Sequence, residues 1–348
     1  MKKILALDIG GGTQDILLYD PAKNLENCLQ MVLPSPTQLV AAKISKATAA
    51  GRPLFLHGEI MGGGASTRAI KKHLAAGLPV VATPQAALTI HDDLARVAKL
   101  GIMIDGEEPP GAVPVRLGDI DVAMLKRLLS EAGEELPTDF AVAVQDHGYA
   151  PQESNRAFRF RYWGKFMADG GSLSDLFFRS APSYFTRMKA AQQTLPGALL
   201  MDTCSAALLG AMTDERVREA ASHHAVAIAN IGNQHTFIAI IRKERVEGLL
   251  EHHTGSMTAE KIIRYLDRLL TGTLTNSEVL ADGGHGSIAP PGRVLPALVA
   301  VTGPRRNLLA GKDFYFAAPQ GNMMLMGCFG LVAAAKKELI SLGGVGAR

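Results

Sequence analysis

The chain has 348 residues, with 36 Lys and Arg against 33 Asp and Glu, and a formal net charge of +3. A charge this small and this evenly spread excludes a strongly basic surface for nucleic acid or anionic membrane, and an aromatic content of 5% excludes a base-stacking platform. The three cysteines are far apart in sequence, which excludes a disulfide scaffold and a CxxxCxxC iron–sulfur motif within this chain.

The first predicted elements are two short strands, residues 4–8 and 15–20, joined by three consecutive glycines. A third apolar run at residues 28–34 follows within hairpin distance. Residues 36–135 then alternate between strand-like and helix-like stretches, which is typical of α/β layers. A further strand is predicted at 140–145, whereas residues 150–195 are predicted to be irregular.

The pattern becomes regular again after residue 197. A strand at 198–202, a small-residue helix at 204–212 and a strand at 223–232 precede a hairpin over 235–253, with a glycine predicted at its bend. Later elements are a helix capped by Thr258, a strand at 295–303 and a C-terminal helix over 322–340. The length and the Pro196–Gly197 turn predict two domains, residues 1–195 with an inserted α/β segment and residues 196–348.

The glycine turn is the first segment that indicates chemistry. Asp8 ends a buried strand, and Gly10, Gly11 and Gly12 expose backbone N–H groups that form a nest for phosphate oxygens. An acidic residue beside such a nest positions Mg²⁺, and Asp15 lies just beyond it. The alternative is a tight β-hairpin without a ligand. The turn is not a P-loop, because it lacks GK[ST], and no helix follows it as a dinucleotide fingerprint requires.

Residues 8–15 (DIGGGTQD) resemble the first phosphate loop of the superfamily of actin-like ATPases, heat-shock chaperones and sugar kinases. Four later segments resemble, in the superfamily's order, its connecting, second phosphate, adenosine and closing segments; they are residues 198–210, 226–237, 298–308 and 318–334. The resemblance implies an α/β fold of two actin-like (ribonuclease H-like) domains with a nucleotide in the cleft between them. It also implies ATP and Mg²⁺ as cofactors.

The resemblance assigns roles to individual residues. It implies that Asp8 and Asp202 are catalytic carboxylates and that Asp8 and Asn230 lie at the metal. Asn230 stands where the family has Asp and offers Mg²⁺ no negative charge, which disfavours hydrolysis, whereas Pro304 removes a backbone N–H near the adenine, which disfavours tight nucleotide binding. The five segments in the family's order nevertheless support binding better than turnover. An alternative role for Asp202 is to cap the following helix. The implied nucleotide-binding residues are Gly10, Gly11, Gly12, Thr13, Gln14, Asp15, Gly232, Asn233, Gln234, His235, Thr236, Thr302, Gly303 and Arg306.

A second polar loop follows the strand at 140–145. Its sequence, QDHG, is similar to a loop that borders the sugar in xylulose-type kinases, which makes Asp146 and His147 substrate-binding candidates. His147 would bind a substrate hydroxyl or a metal, or be a loop histidine bonded only to backbone. Downstream, Arg159 and Arg161 would share one face of an extended segment and hold an acidic substrate, or form a solvated strand face.

Two pairs of adjacent histidines, 223–224 and 252–253, flank predicted strands. Adjacent strand residues point to opposite faces, so neither pair is predicted to form a two-ligand metal site by itself. The glycine-rich stretch 61–67 precedes a predicted helix and is interpreted as an anion site or as a plain loop. The stretch 282–286 is interpreted as a mobile turn over the adenosine pocket or as a plain loop.

Three functions remain open. The first is an ATPase that activates or remodels a partner protein; the second is a kinase of a sugar- or polyol-type acceptor; the third is a non-catalytic nucleotide-binding module. The chain also resembles, along most of its length, an actin-like family labelled as a pyruvate formate-lyase activating enzyme. A radical-SAM activating enzyme needs three clustered cysteines, so that activity is not predicted. The absence of a signal peptide and of ~18 uninterrupted apolar residues predicts a cytoplasmic protein.

Overall fold

A computed structural model describes the backbone of residues 2–345 and the side chains of residues 2–338. The strands are β1 Ile4–Ile9, β2 Thr13–Tyr19, β3 Leu29–Pro34, β4 Leu54–Gly58, β5 Val80–Ala82, β6 Ile102–Ile104, β7 Val113–Leu117, β8 Asp139–Val144, β9 Phe177–Phe178, β10 Leu199–Met201, β11 Val226–Ile231, β12 His235–Arg242, β13 Arg245–His253, β14 Gly286–Ile288, β15 Leu298–Thr302 and β16 Tyr315–Phe316. The helices are α1 Pro36–Ala49, α2 Ala65–Ala75, α3 Pro84–Ala87, α4 Leu94–Lys99, α5 Val122–Glu131, α6 Asn155–Ala168, α7 Thr186–Thr194, α8 Thr203–Ala211, α9 Glu215–His223, α10 Ala259–Leu270, α11 Asn276–Ala281 and α12 Met326–Val345.

Two six-stranded sheets have the same internal plan. Their strand orders are β3-β2-β1-β8-β10-β9 and β14-β13-β12-β11-β15-β16. In each, an antiparallel hairpin, β1–β2 or β11–β12, is followed by a parallel neighbour, β8 or β15. The predicted glycine-linked hairpin is confirmed, since β1 and β2 pair from Ile4↔Tyr19 to Ile9↔Gln14. The fold is therefore mixed α/β, and the turn of each hairpin lies at an equivalent place in its sheet.

A third, smaller sheet lies between β3 and β8 in sequence. Its four parallel strands have the order β6-β5-β4-β7; α1 precedes β4, α2 lies between β4 and β5, and α3 and α4 lie between β5 and β6. Parallel neighbours need crossover connections, which the helices supply. The predicted α/β alternation of residues 36–135 is thereby confirmed. This segment has its own apolar core, which includes Ile44, Leu56 and Val115.

The two larger sheets share one continuous apolar core. It includes Ala6 on β1, Met201 on β10 and Phe237 on β12, as well as Phe329 on α12. Strand β10 lies after residue 195 in the chain but pairs with β8 of the first sheet, and α12 packs against β1 and α8. The elements after residue 195 thus contribute to both sheets. The division of the chain into two domains stays a prediction.

The prediction that residues 150–195 are irregular is wrong, because they contain α6 and α7. Phenylalanine and arginine alternate at the start of α6, which imitates the period of a strand. The buried residues of this helix include Phe160, Trp163 and Phe166, which recur every three positions and so lie on one helical face. The interpretation of Arg159 and Arg161 as two residues on one face of an extended segment is therefore wrong as well.

The predicted glycine bend in the 235–253 hairpin is also wrong. The chain turns at Lys243 and Glu244, whose φ angles are 47° and 62°. Positive φ at both central residues is what a two-residue hairpin needs to match the twist of its strands. Gly248 lies instead inside β13, opposite Ile240 and next to the shift in register between Ile240 and Ile241.

Helices α8 and α12 approach each other through glycines. A Cβ added to Gly330 would overlap the backbone carbonyl of Ala206, and neither helix backbone is free to yield like a flexible side chain. We expect Gly330→Ala to lower the free energy of unfolding by about 1–3 kcal/mol, since overpacking forces the helices apart. Gly164→Ala on α6 is the matched control, because its Cβ would meet nothing within 4 Å. That change should stabilise by about 0.5–1 kcal/mol through helix propensity. Urea denaturation of both variants measures the difference, and equal effects would contradict the packing argument.

Candidate functional site

The glycine turn after β1 lies directly against the turn that joins β11 to β12. The Gln234 side chain lies over Gly11 and donates from Nε2 to its carbonyl oxygen at 3.3 Å. The Asn233 side chain lies over Gly12 in the same way, so that a Cβ on either glycine would overlap the amide facing it. The absence of side chains in the first turn is therefore what allows the two turns to meet.

A narrow cavity of about 80 Å³ lies between the two turns and the start of α12. Asp8, Asp15 and Asn230 are among the residues that line it. Both carboxyl groups are buried, and neither Oδ1 atom has a hydrogen-bond partner among the described residues. Gly327 in the first turn of α12 lies so close to Asp8 that an added Cβ would overlap the carboxylate. Two unpartnered carboxyl oxygens in one small cavity are an unusual arrangement, because buried polar groups are normally paired.

The electrostatics of this cavity favour a bound cation. Burial, together with the neighbouring Asp15, raises the pKa of Asp8 well above its ordinary value. Burial raises the pKa of Asp15 to about 7. Two carboxylates and the amide oxygen of Asn230 are the hard oxygen donors that Mg²⁺ prefers, so the residues present fit this ion. A divalent cation would supply the positive charge that pairs with these oxygens.

The stability of the protein should respond to the protonation of Asp15. Its pKa rises on folding from 3.8 to about 7, so the folded state binds more protons between these values and stability falls as pH rises through them. We expect Asp15→Asn to remove this loss and to be more stable than the wild type at pH 8 by about 2–4 kcal/mol, with little difference near pH 4. Chemical denaturation at both pH values, without divalent cations, measures this. A variant whose advantage is the same at both pH values would contradict it.

The predicted nucleotide residues divide between the cavity and its surroundings. Those that line the narrow cavity, besides Asp15, are Gly10, Gly11, Thr13, Gly232, Asn233, Gln234, His235 and Gly303. The remaining predicted positions lie outside this lining; they are Gly12, Gln14, Thr236, Thr302 and Arg306. Gln14 donates to the carbonyl of Pro34 at 3.1 Å, and the hydroxyl of Thr236 is 3.0 Å from that of Thr254. Their side chains are thus engaged within the protein.

Asp202 is the N-cap of α8, which confirms the alternative role that the sequence offered. Its Oδ1 accepts from the backbone N–H of Cys204 at 3.0 Å. The guanidinium of Arg159 donates to both carboxylate oxygens, at 2.8 Å and 3.0 Å. Burial alone would raise the pKa of Asp202, but the charge and hydrogen bonds of Arg159, together with the backbone N–H groups of Cys204 and Asp146, outweigh it and lower the pKa below its ordinary value. The carboxylate is therefore ionised and held at both oxygens, and its catalytic role stays a prediction.

Arg159 is the centre of a buried charge cluster that the sequence did not indicate. Besides Asp202, its Nε donates to Glu251 at 2.6 Å, and Gln145 donates to the other oxygen of Glu251 at 2.7 Å. Arg159, on α6, is only 2% exposed and joins β13 of the second sheet to the residues that follow β8 and β10 of the first. Arg161, two positions later, is exposed and pairs with Glu153. The two arginines thus have unrelated surroundings.

A larger cavity of about 600 Å³ adjoins the narrow one and shares Gln145 and Gln234 with it. The predicted substrate residues Asp146 and His147 line this larger cavity. The carboxylate of Asp146 accepts from the backbone N–H groups of Gly148, Arg187 and Met188 at 2.8–2.9 Å. Burial raises its pKa to about 6.

Sequence reasoning missed Arg187 and Asp119 in the wall of this cavity. The guanidinium of Arg187 donates to Asp119 at 2.6 Å and 3.0 Å, and to the carbonyl of Gln145 at 2.7 Å. Arg187 lies at the start of α7, in a segment that was predicted to be irregular. Asp119 follows β7 of the small sheet. No motif marks either residue. Arg68 of α2 also lines the cavity, which therefore presents both positive and negative groups to a ligand.

The family of the chain is decided by a model that matches residues 61–308, well over half of its length. That family is described as "Putative pyruvate format-lyase activating enzyme (DUF1786)". The protein belongs to this family. The resemblance to DUF1786 that the sequence indicated is thereby confirmed. A comparison with curated protein sequences finds no match.

The likeness of this DUF1786 protein to three solved structures is distant. The Aquifex aeolicus member of the Ppx/GppA family has 8% identity and a TM-score of 0.31, over 87% of this chain and 66% of that one. A nucleotide-free acetone carboxylase has 11% identity and a TM-score of 0.22, over 71% of this chain and 45% of that one. An exopolyphosphatase-like protein has 9% identity and a TM-score of 0.21, over 86% of this chain and 66% of that one. The chain spans less than two thirds of the length of each of these proteins.

Within the part of the chain that the structure describes, no helix combines the length and the apolar character needed to cross a membrane.

Proposed function

We propose that the protein binds ATP with Mg²⁺ between the glycine turn after β1 and the turn after β11, and that it hydrolyses this ATP to act on a partner protein. The observation that carries the proposal is the meeting of two equivalent hairpin turns over two buried carboxyl groups, Asp8 and Asp15, whose Oδ1 atoms have no hydrogen-bond partner among the described residues. Glycine N–H groups in such turns hold phosphate oxygens, and the carboxylates would hold the metal. The metal, when bound, neutralises charge on the phosphates.

Access of a nucleotide to this site requires the two turns to separate. The Gln234 side chain occupies the space directly over Gly11, and the narrow cavity of about 80 Å³ is too small for a nucleotide. Binding would therefore move the second sheet's turn away from the first. A ligand that binds only one spacing of the turns shifts the population toward that spacing. Nucleotide state would thus be coupled to the relative position of the two sheets, which is how an actin-like ATPase would drive a partner.

The larger cavity favours a second candidate, the transfer of a phosphoryl group to a small molecule. It shares Gln145 and Gln234 with the narrow cavity, so an acceptor bound there would lie beside the nucleotide phosphates. Its polar lining, with Asp146, Arg187 and Arg68, suits a hydroxylated or acidic acceptor. Asp146, whose pKa is about 6, would be ionised at neutral pH and able to accept a proton.

One assay separates these functions. The protein is mixed with ATP and Mg²⁺, alone and with a panel of polyols and sugar acids, and the release of ADP is followed. We expect slow release of ADP without any acceptor, because the proposed ATPase uses hydrolysis to change its own conformation and needs no small-molecule acceptor. Release that depends on one acceptor would favour phosphoryl transfer, and tight ATP binding without release would favour the non-catalytic module. Failure of ATP to bind at millimolar concentration would overturn the proposal.

The family description names an activating enzyme, but the cysteines do not support radical-SAM chemistry. Cys28 lies beside Asp20, Cys204 beside Arg159, and Cys328 beside the backbone of Asp15. All three are buried. An iron–sulfur cluster needs neighbouring thiolates. Anaerobic reconstitution with iron and sulfide is therefore expected to leave no stoichiometric cluster, and a cluster at one per chain would show this inference to be wrong.

A further inference from the structure

Four histidines, two of them paired across the β12–β13 hairpin, meet at one end of the larger cavity. His147 follows β8, His235 begins β12, His253 ends β13, and His285 lies just before β14. Their ring centroids are close, with 5.1 Å between His147 and His285, 4.8 Å between His235 and His285, and 4.5 Å between His253 and His285. Glu251, two residues before His253 on β13, joins this group.

The nitrogen atoms of these rings converge rather than face away from one another. One ligand atom from each of His147, His235, Glu251 and His285 lies within 4.8 Å of all the others. The Nε2 atoms of His147 and His285 are 3.0 Å apart. Two neutral imidazoles satisfy such a contact only when one donates to the other, whereas a metal ion accepts a lone pair from both. In a tetrahedral site with metal–nitrogen bonds of about 2.0–2.1 Å, the nitrogens are roughly 3.3 Å apart, so small side-chain shifts complete the geometry.

The surroundings keep these rings in the form that binds a metal. Burial holds the pKa of His147 well below its ordinary value and lowers that of His235 to about 3, with neighbouring histidines and arginines adding to the effect. His285 is 1% exposed, so its ring is also shielded from water. Neutral imidazole is the ligand form of histidine.

We propose that His147, His235 and His285 bind a divalent transition-metal ion, Zn²⁺, at the boundary between the first and second sheets. Glu251 lies beside these histidines but is not counted among the ligands, because its two oxygens already accept from Gln145 and Arg159 at 2.7 Å and 2.6 Å. His147 comes from the first half of the chain and the other two ligands from the second, so the metal would tie the halves together. Three nitrogen ligands leave a fourth position free for an exogenous ligand.

An exogenous ligand would approach the fourth position from the larger cavity. His147, His235 and His253 all line that cavity, whereas Glu251 lies behind them and is not exposed. A Zn²⁺ ion held by three neutral ligands is strongly electrophilic, and it would polarise an oxygen of a carboxylate or phosphate ligand bound in the cavity. The inference does not rest on the binding of ATP, because it uses the histidines alone.

The test is direct metal binding to the full chain without a histidine tag. After removal of metals with a chelator, the protein is incubated with Zn²⁺ and passed through a desalting column, and bound zinc is measured by elemental analysis. We expect about one Zn²⁺ per chain. Co²⁺ in place of Zn²⁺ should give the visible absorption of a four- or five-coordinate nitrogen site. Absence of stoichiometric Zn²⁺ and of the Co²⁺ spectrum would overturn the proposal.

Variants localise the site. His285→Ala is expected to weaken Zn²⁺ binding by about 100-fold or more. Even the loss of a residue that only hydrogen-bonds to a metal ligand lowers metal affinity by about 10–100-fold. His223→Ala is the matched control, because that histidine is exposed, next to His224, and outside the cluster. His235→Gln provides a second variant with a polar side chain of similar size in case His285→Ala does not fold, as judged by circular dichroism. Equal binding by the wild type and a folded cluster variant, or loss of binding in His223→Ala, would contradict the assignment.

Discussion

Replacement of Arg159 by Met is expected to lower the free energy of unfolding by about 3–5 kcal/mol. The guanidinium is 2% exposed and neutralises two carboxylates, Asp202 and Glu251, which are themselves buried. Removal of the cation leaves both negative charges without their partner in a site that water does not reach. Methionine fills much of the same volume, so the loss measures the charges and not a cavity.

Arg161→Met on the same helix is the control for this prediction. Arg161 is exposed and pairs with Glu153 at 2.6 Å, and exposed ion pairs contribute about 0–1 kcal/mol. Urea denaturation of both variants at pH 7 measures the contrast. The loss in Arg159→Met should also shrink at low pH, where Asp202 and Glu251 become protonated. Similar losses in the two variants would mean that the buried cluster is not a determinant of stability.

Much of the fold follows from local patterns that the sequence displays. The β1–β2 hairpin was predictable because apolar runs flank three glycines, and β8, β10, β11 and β15 because each is a short apolar run. Thr258 was recognisable as a helix cap, and its side chain does accept from the N–H of Lys261. The equivalence of the two large sheets was not visible as a repeat, because strand order depends on topology and leaves no identity between the halves.

Helix α6 shows why a local pattern can mislead. Its buried face contains Arg159 next to Phe160, so a charged residue occupies a position where an amphipathic helix has an apolar one. The reason for that arginine lies outside the helix, in Asp202 and Glu251. The segment could therefore be assigned only with knowledge of what packs against it. The same tertiary contact explains why the hypothesis of an acidic substrate beside Arg159 was wrong.

The histidine cluster was out of reach for a different reason. His147 and His285 are separated by 138 residues and meet only when β8 and β14 take their places in different sheets. His252 and His253 do have different surroundings, since His252 contacts Asp282 and His253 contacts His285. The alternation of faces along a strand predicts this difference. That alternation of faces does not reveal that His253 joins histidines from other elements, which are far from it in sequence or on a neighbouring strand. Ligand sets assembled by topology carry no spacing signature in the sequence.

Asp8→Asn tests the proposed nucleotide site most directly. Asparagine keeps the size of the side chain but removes the negative charge, so the cavity would hold Mg²⁺ poorly. A metal that stabilises a transferring phosphoryl group contributes several kcal/mol, and each 1.36 kcal/mol is tenfold in rate. We therefore expect the rate of ADP release to fall by roughly 10²–10³-fold. Because the pKa of Asp8 is raised by burial, the same change removes a buried carboxyl that is costly to ionise, and the protein should not be less stable.

Asp20→Asn separates the role of Asp8 from a general effect on the β1–β2 hairpin. Asp20 follows the far end of β2, where it lies 3.4 Å from the ammonium group of Lys3, and it does not line either cavity. Its replacement should leave the rate of ADP release unchanged within about twofold, since loss of an ion pair at a partly exposed lysine changes stability by less than about 1 kcal/mol. Comparison of the two variants at several Mg²⁺ concentrations distinguishes the explanations. If Asp8 holds the ion, excess Mg²⁺ will recover part of the activity of Asp8→Asn. If both variants lose activity equally and Mg²⁺ rescues neither, the hairpin serves only the fold and the narrow cavity is not the site of turnover.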